Sequence, residues 1–228
     1  MDYKLTPSFG RRKARKLRET SQKIYTELLP RLKIDPQKKC FGFSSPHIWL
    51  EIGFGGGEHM LERLSQNPSV AIIGCEPFMN GVAKFLGQLL PQDYPRVKIW
   101  HDDVRYLLNL ISPSSFERVF ILFPDPWPKK RHHRRRLITN EFINKLLPTL
   151  REKAFLHIAS DDPSYVEQIQ NVLYPHPDLI LCTGPVSPDP LSWGGRPVDW
   201  PSTRYESKAM TAGKKCAYML FQKKENST

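Results

Sequence analysis

Two short stretches of this 228-residue chain carry side chains whose types and spacing could do chemistry. The first is Phe123-Pro124-Asp125-Pro126-Trp127-Pro128, which closes the apolar run 118–123. It offers one carboxylate between prolines that fix the backbone. A carboxylate delivered by the end of a strand can oppose positive charge that develops on a substrate. The second is Gly53-Phe54-Gly55-Gly56-Gly57-Glu58, directly after the apolar run 48–52. Its glycines let the backbone turn tightly and let a ligand approach with no Cβ in the way. Further acids close the next apolar runs: Glu76 after 70–75, and Asp102 with Asp103 after 97–100. Glu76 stands about where a carboxylate grips a ribose diol.

These groups need a scaffold, and the apolar pattern supplies one. Strands are expected at 48–52, 70–75, 97–100, 118–123, 154–159, 179–182 and 216–221, with a long Pro-rich loop before the last. Helical patterns fall at 59–65, 80–90 and 137–150. Alternating strands and helices make a doubly wound α/β sheet, mostly parallel, whose ligands sit at the carboxyl ends of the strands. Residues 11–32 read as a basic amphipathic helix ending at Pro30 or soon after, so 1–40 forms a basic N-terminal arm and 41–228 the main domain.

Charge narrows the partners. The net charge is +11, and residues 1–40 alone hold 12 basic and 4 acidic side chains. Lys129 to Arg136 packs six basic residues and two histidines into eight positions. Concentrated positive charge suits a polyanion, and no apolar run is long enough to span a membrane. The cysteines Cys40, Cys75, Cys182 and Cys216 show no C-x-x-C spacing, which argues against structural zinc and fits reduced thiols in a cytoplasm. His132 and His133 lack an acidic or Cys partner at ligand spacing, so no metal is expected.

Dinucleotides and S-adenosylmethionine both use glycine loops of this kind. The dinucleotide fingerprint needs a third glycine where this chain has Glu58 or Met60, so a dehydrogenase is disfavoured. The spacing Glu51-x-Gly53-x-Gly55-x-Gly57 instead resembles the first motif of class I S-adenosylmethionine-dependent methyltransferases. Phe123 to His132, with Arg134 and Arg135 beyond His133, closely resembles the signature of the bacterial tRNA (guanine-N7-)-methyltransferase family. Two satellites follow in order: Ser160-Asp161-Asp162 resembles that family's T-D pair, and Thr203-Arg204-Tyr205-Glu206, in the loop before the last strand, its T-x-[FY]-E. The resemblance runs from about residue 48 to the end.

That resemblance implies a Rossmann-like, seven-stranded sheet with an antiparallel last strand, and methylation of N7 of a variable-loop guanine in tRNA. It implies S-adenosylmethionine held by Glu51, Gly53, Gly55, Gly57, Glu76, Asp102 or Asp103, and Asp125, with Asp125 also catalytic. Substrate contacts fall to Lys129, Asp161, Thr203, Arg204, Tyr205 and Glu206. Glu206 or Asp161 would accept from the guanine N1–H and amino edge, with Tyr205 or Trp127 as stacking surfaces. Lys130, Arg131, Arg134, Arg135 and Arg136 would bind RNA phosphates, with the 11–23 arm extending the track. Monomer and homodimer are both compatible with it. Two rivals remain: methylation of a base amino group, suggested by D-P-x-[WY], and an RNA-binding protein that has lost its cofactor.

Overall fold

The computed structural model describes residues 10, 12, 16–37 and 41–225. Arg11, most of the arm before it and Cys40 lie outside the described residues. The helix expected over 11–32 is described as α1 (Glu19–Leu32), with Glu19 in its first turn and Arg31 in its last, each matched to the helix dipole. Pro30 falls inside it, and the helix stops two residues later. Leu28, Leu29 and Leu32 are buried, and the Ile34 amide donates to the Ile99 carbonyl at 2.9 Å. The second half of the basic segment is thus packed into the domain.

Among the described residues seven strands form one sheet: β1 (Ile48–Ile52), β2 (Ala71–Cys75), β3 (Val97–Trp100), β4 (Phe116–Leu122), β5 (Leu150–Ser160), β6 (Leu179–Thr183) and β7 (Ala217–Lys223). Their order is β3-β2-β1-β4-β5-β7-β6; β7 runs antiparallel to both β5 and β6, and the other pairs are parallel. Strands buried on both faces read as continuous apolar runs, as Leu50, Ile73, Val119 and Ile158 show. Among the described residues six α-helices follow α1: α2 (Glu58–Gln66), α3 (Met79–Leu86), α4 (Val104–Leu108), α5 (Asn140–Leu146), α6 (Pro163–Leu173) and α7 (Arg204–Thr211). Met60 and Phe85 of α2 and α3 join Leu32 in one apolar cluster, while Leu107, Ile143 and Ile169 of α4–α6 join the other. These are the two layers of a doubly wound sheet.

Several boundaries differ from expectation, and two of them meet at β5. The helix expected over 137–150 is only α5, followed by a short 3-10 turn at Leu147–Thr149 that contains Pro148. β5 then begins at Leu150, because Leu150 pairs with Phe116 across a bulge that Lys153 passes at φ +60°. Strand order reverses about β1, with β2 and β3 on one side and β4 and β5 on the other. That switch point opens a crevice at the carboxyl ends of these strands, and it fixes where the site must be.

Candidate active site

A cavity of about 660 Å³ occupies that crevice. Its walls are the Gly53–Gly56 turn after β1, Glu76 to Phe78 after β2, Asp102 to Arg105 after β3, and Leu122 to Asp125 after β4; Trp127, Arg135, Arg204 and Tyr205 also line it. Gly55 sits at φ +55°, a conformation that costs glycine nothing, and its N–H donates to Glu76 Oε2 at 2.7 Å. Gly81 of α3 presses on the same turn: a Cβ there would stand 2.5 Å from the Gly55 carbonyl oxygen.

Glu76 is buried and its other oxygen accepts the Phe78 amide at 2.8 Å. Burial pushes its carboxyl up from the ordinary glutamate value, opposed by those two backbone hydrogen bonds. Its remaining lone pairs can accept two ribose hydroxyls. Asp103 is more committed: it caps α4 through the Arg105 amide at 2.9 Å and holds the Arg105 guanidinium in a fork at 2.9 and 2.7 Å. Asp102 takes its own neighbour's amide at 2.7 Å and Arg12 from the arm at 2.6 Å. Arg12 is exposed, so Asp102 is the more easily released of the pair.

Asp125 stands on a strained turn. Phe123 and Trp127, on either side of Pro124-Asp125-Pro126, have φ of +52° and +46°. Such left-handed bulky residues cost on the order of 1–3 kcal/mol each and persist only where their surroundings impose them. The Phe123 amide is tied to the Ala159 carbonyl at 2.8 Å, and the Pro126 carbonyl accepts Arg136 Nε at 2.7 Å. Asp125 is open to the cavity water, yet the walls around it displace enough solvent to push its carboxyl up from the ordinary aspartate value.

The basic run divides. Lys129, Lys130, Arg131 and Arg134 are exposed on and beside a 3-10 turn at Lys130–Arg135. Arg135 lies with its guanidinium 4.9 Å from the Trp127 ring centre, and His132 meets the same ring edge-on. Arg136 corrects the expectation of a phosphate contact. Only 2% of it is exposed, and its guanidinium is occupied by Pro126, Ser164 and Gln168.

The expected substrate residues are likewise sorted by their partners. Thr203 and Glu206 form a capping box that starts α7: the Glu206 amide donates to Thr203 Oγ1 at 3.1 Å, and the Thr203 amide to Glu206 Oε2 at 3.2 Å. Glu206 is 2% exposed and also binds the Tyr218 hydroxyl and Arg196. The T-x-x-E spacing is itself a helix-start signal, and α7 was legible from it where a loop was expected. The box sets Arg204 and Tyr205 on the cavity, where the Tyr205 ring would lie 3.2 Å from a Cβ on Gly55. Asp161, at the end of β5, pairs with Lys214 at 2.8 Å. Glu51 turns away from the cavity to His59 Nδ1 at 2.7 Å, behind the glycine turn; His59 in turn accepts from Arg63 Nε at 3.2 Å.

Three of the lining residues that sequence reasoning missed stand out. Lys84 of α3 forms an ion pair with Glu58 at the lip of the glycine turn, and Phe78 supplies its amide to Glu76. Lys208 lies over the Tyr205 ring at 5.8 Å, one helical turn after Arg204, a spacing the unread α7 would have revealed. Among the described residues no group of three or more His, Cys, Asp or Glu is placed to hold a metal ion. No helix among them is long and apolar enough to cross a membrane.

The donor set fits S-adenosylmethionine: a carboxylate for the ribose, acids at the β3 end, and an open glycine backbone at Gly53, around whose missing Cβ no atom lies within 4 Å. Fold and site together define a class I S-adenosylmethionine-dependent methyltransferase. A family described as "Putative methyltransferase" matches residues 45–219. The chain is 37% identical to the tRNA (guanine-N(7)-)-methyltransferase of Rhodospirillum rubrum, over 95% of this chain and 87% of that one. To the protein of the same name from Paramagnetospirillum magneticum it is 39% identical, over 95% and 92%. The chain belongs to the family of tRNA (guanine-N(7)-)-methyltransferases. An antibiotic-related methyltransferase of known structure shares the fold, with a TM-score of 0.54 over 87% of this chain and 99% of that one at 13% identity.

Proposed function

We propose that this chain transfers a methyl group from S-adenosylmethionine to N7 of a guanine in tRNA, the variable-loop guanine by likeness to its family. The observation that carries the reading is the Asp125 carboxylate, held on a strained turn in the wall of a cavity that also presents Glu76 and Asp102. S-adenosylmethionine supplies a methyl group on a positively charged sulfur. Guanine N7 has a lone pair and no proton, so no residue need act as a base. What the chain must do is hold the reacting atoms in line and oppose the positive charge the purine acquires. Glu76 and Asp102 orient the adenosine end, and Asp125 faces the charge.

The exposed cations Lys129, Lys130, Arg131 and Arg134 then lie beside that wall, as phosphate contacts to RNA. The 1–40 segment extends them through Arg12, Lys16, Arg18 and Lys23, each exposed. Because Glu206 is committed to the capping box, Asp161 is the better acceptor for the guanine N1–H and amino edge, and Tyr205 the better stacking surface. The unpaired thiols Cys75, Cys182 and Cys216 suit work in the cytoplasm, where the substrate is.

The test is to incubate the protein with labelled S-adenosylmethionine and unmodified tRNA and identify the methylated nucleoside by mass spectrometry. We expect 7-methylguanosine, lost in Asp125→Ala. A methyl group on a base amino nitrogen would keep the fold and cofactor and overturn the choice of target atom.

A further inference from the structure

Arg136 is the last cation of the basic run, and it is buried. Its Nε donates to the Pro126 carbonyl at 2.7 Å. Its Nη1 donates to the Ser164 carbonyl at 2.9 Å and to Gln168 Oε1 at 3.1 Å, and its Nη2 to Ser164 Oγ at 2.6 Å. Asp162 Oδ1 stands 3.8 Å away, and the guanidinium carbon lies 4.8 Å from the Tyr165 ring centre. One planar group thus joins the turn after β4 to the first turns of α6.

The turn it grips cannot hold itself. Pro124, Pro126 and Pro128 have no N–H, so three of its donors are missing. Both bulky neighbours of the Pro-Asp-Pro segment are left-handed, a conformation that relaxes unless something holds it. One end is fixed to β5 by the Phe123 amide, and the other end is fixed through the Pro126 carbonyl. Asp125 lies between these two anchors.

From this geometry we infer that Arg136 is a positioning residue for methyl transfer: a clamp that fixes the Asp125 turn to α6, not a contact to RNA. The inference rests on the reading of Asp125 given above. Arginine is needed because only its fork spans two elements in one plane; a lysine keeps the charge but reaches one acceptor at a time.

The experiment compares full-length wild type, Arg136→Lys, Arg136→Gln, Ser164→Ala and Arg134→Gln, using unmodified tRNA and 7-methylguanosine as the readout. The expected result for Arg136→Lys and Arg136→Gln is a kcat lower by roughly 10²-fold, the loss a displacement of about 1 Å can cause. KM for tRNA should stay within about twofold, and the slope of log affinity against log salt should not change. Ser164→Ala, which loosens only the α6 end, should fold if Arg136→Gln does not, and should lose kcat in the same direction by a smaller factor. Arg134→Gln should lower the salt slope by about 0.7–0.9, the signature of one lost phosphate contact.

A wild-type kcat in Arg136→Lys, or a reduced salt slope in Arg136→Gln, would overturn the clamp. Failure of the underlying reading looks different: wild type would form no 7-methylguanosine, or Asp125→Ala would keep forming it.

Discussion

At the scale of single residues, the site is a set of carboxylates with different amounts of freedom. Asp125 has its carboxyl pushed up by the cavity walls, so its folded-state value lies above its unfolded one. Between those two values the folded chain binds more protons than the unfolded chain, and stability therefore falls as pH rises through that window. Asp125→Asn should accordingly raise the melting temperature at neutral pH, with the gain fading as pH is lowered through that window and gone below the ordinary aspartate value. The same variant should lose roughly 10²–10³-fold in kcat, the scale for removing one preorganised charge-stabilising group. The wild-type rate should fall on acidification at a pH above the ordinary aspartate range, and that limb should vanish in Asp125→Asn. A limb unchanged in the variant would assign it to another group. Glu76→Ala removes the ribose acceptor and the partner of the Gly55 and Phe78 amides together. Calorimetry should show S-adenosylmethionine binding weakened by roughly 10²–10⁴-fold, as two charged hydrogen bonds of about 1.5–3 kcal/mol each would give.

At the scale of elements, the box that begins α7 does two things with two residues. It satisfies the helix's free N–H groups, and it sets Tyr205 against the glycine turn. Thr203→Ala should cost about 0.5–2 kcal/mol, seen as a drop of several degrees in a thermal melt. α1 offers a sharper contrast. Leu32 is 3% exposed, so Leu32→Ala should cost about 2–5 kcal/mol, whereas a free arm would lose almost nothing. Inner strands were legible in the sequence because their runs are almost wholly apolar, as at Ala71–Cys75 and at Ile48–Ile52, where Glu51 is the one charge. The start of β5 was not, because Arg151, Glu152 and Lys153 put charge on a strand that has not yet entered the core. α7 was hidden by a Pro-rich lead-in and by reading its T-x-x-E as chemistry alone. For the site, residue types fixed which acids close which strands, since that follows from the order of the chain. Type and spacing could not separate Arg136 from Arg134, because both belong to one basic run and only packing turns one inward.

At the scale of the whole molecule, the cavity mixes both signs, with acids at the strand ends and the cations Lys84, Arg105, Arg135, Arg204 and Lys208 around them. Glu76, Asp102, Asp103 and Asp125 converge on the cavity, suited to a positively charged methyl donor and a product base that becomes a cation. The chain as a whole is nonetheless +11, and the exposed Lys129, Lys130, Arg131 and Arg134 sit just beyond the cavity wall. A polyanion is thereby drawn to the rim, which brings a base to the mouth of the cavity. Each phosphate neutralised releases counterions, so four to six contacts imply a slope of about −3 to −5 in log affinity against log salt. Raising salt from about 50 to about 200 mM should then weaken tRNA binding by roughly 10²–10³-fold. Affinity for S-adenosylmethionine, a small ligand with no phosphate, should change little over the same range. Filter binding and calorimetry at matched salt would measure both. A flat response for tRNA would mean that the basic rim does not hold the RNA backbone, whatever the cavity does to a base.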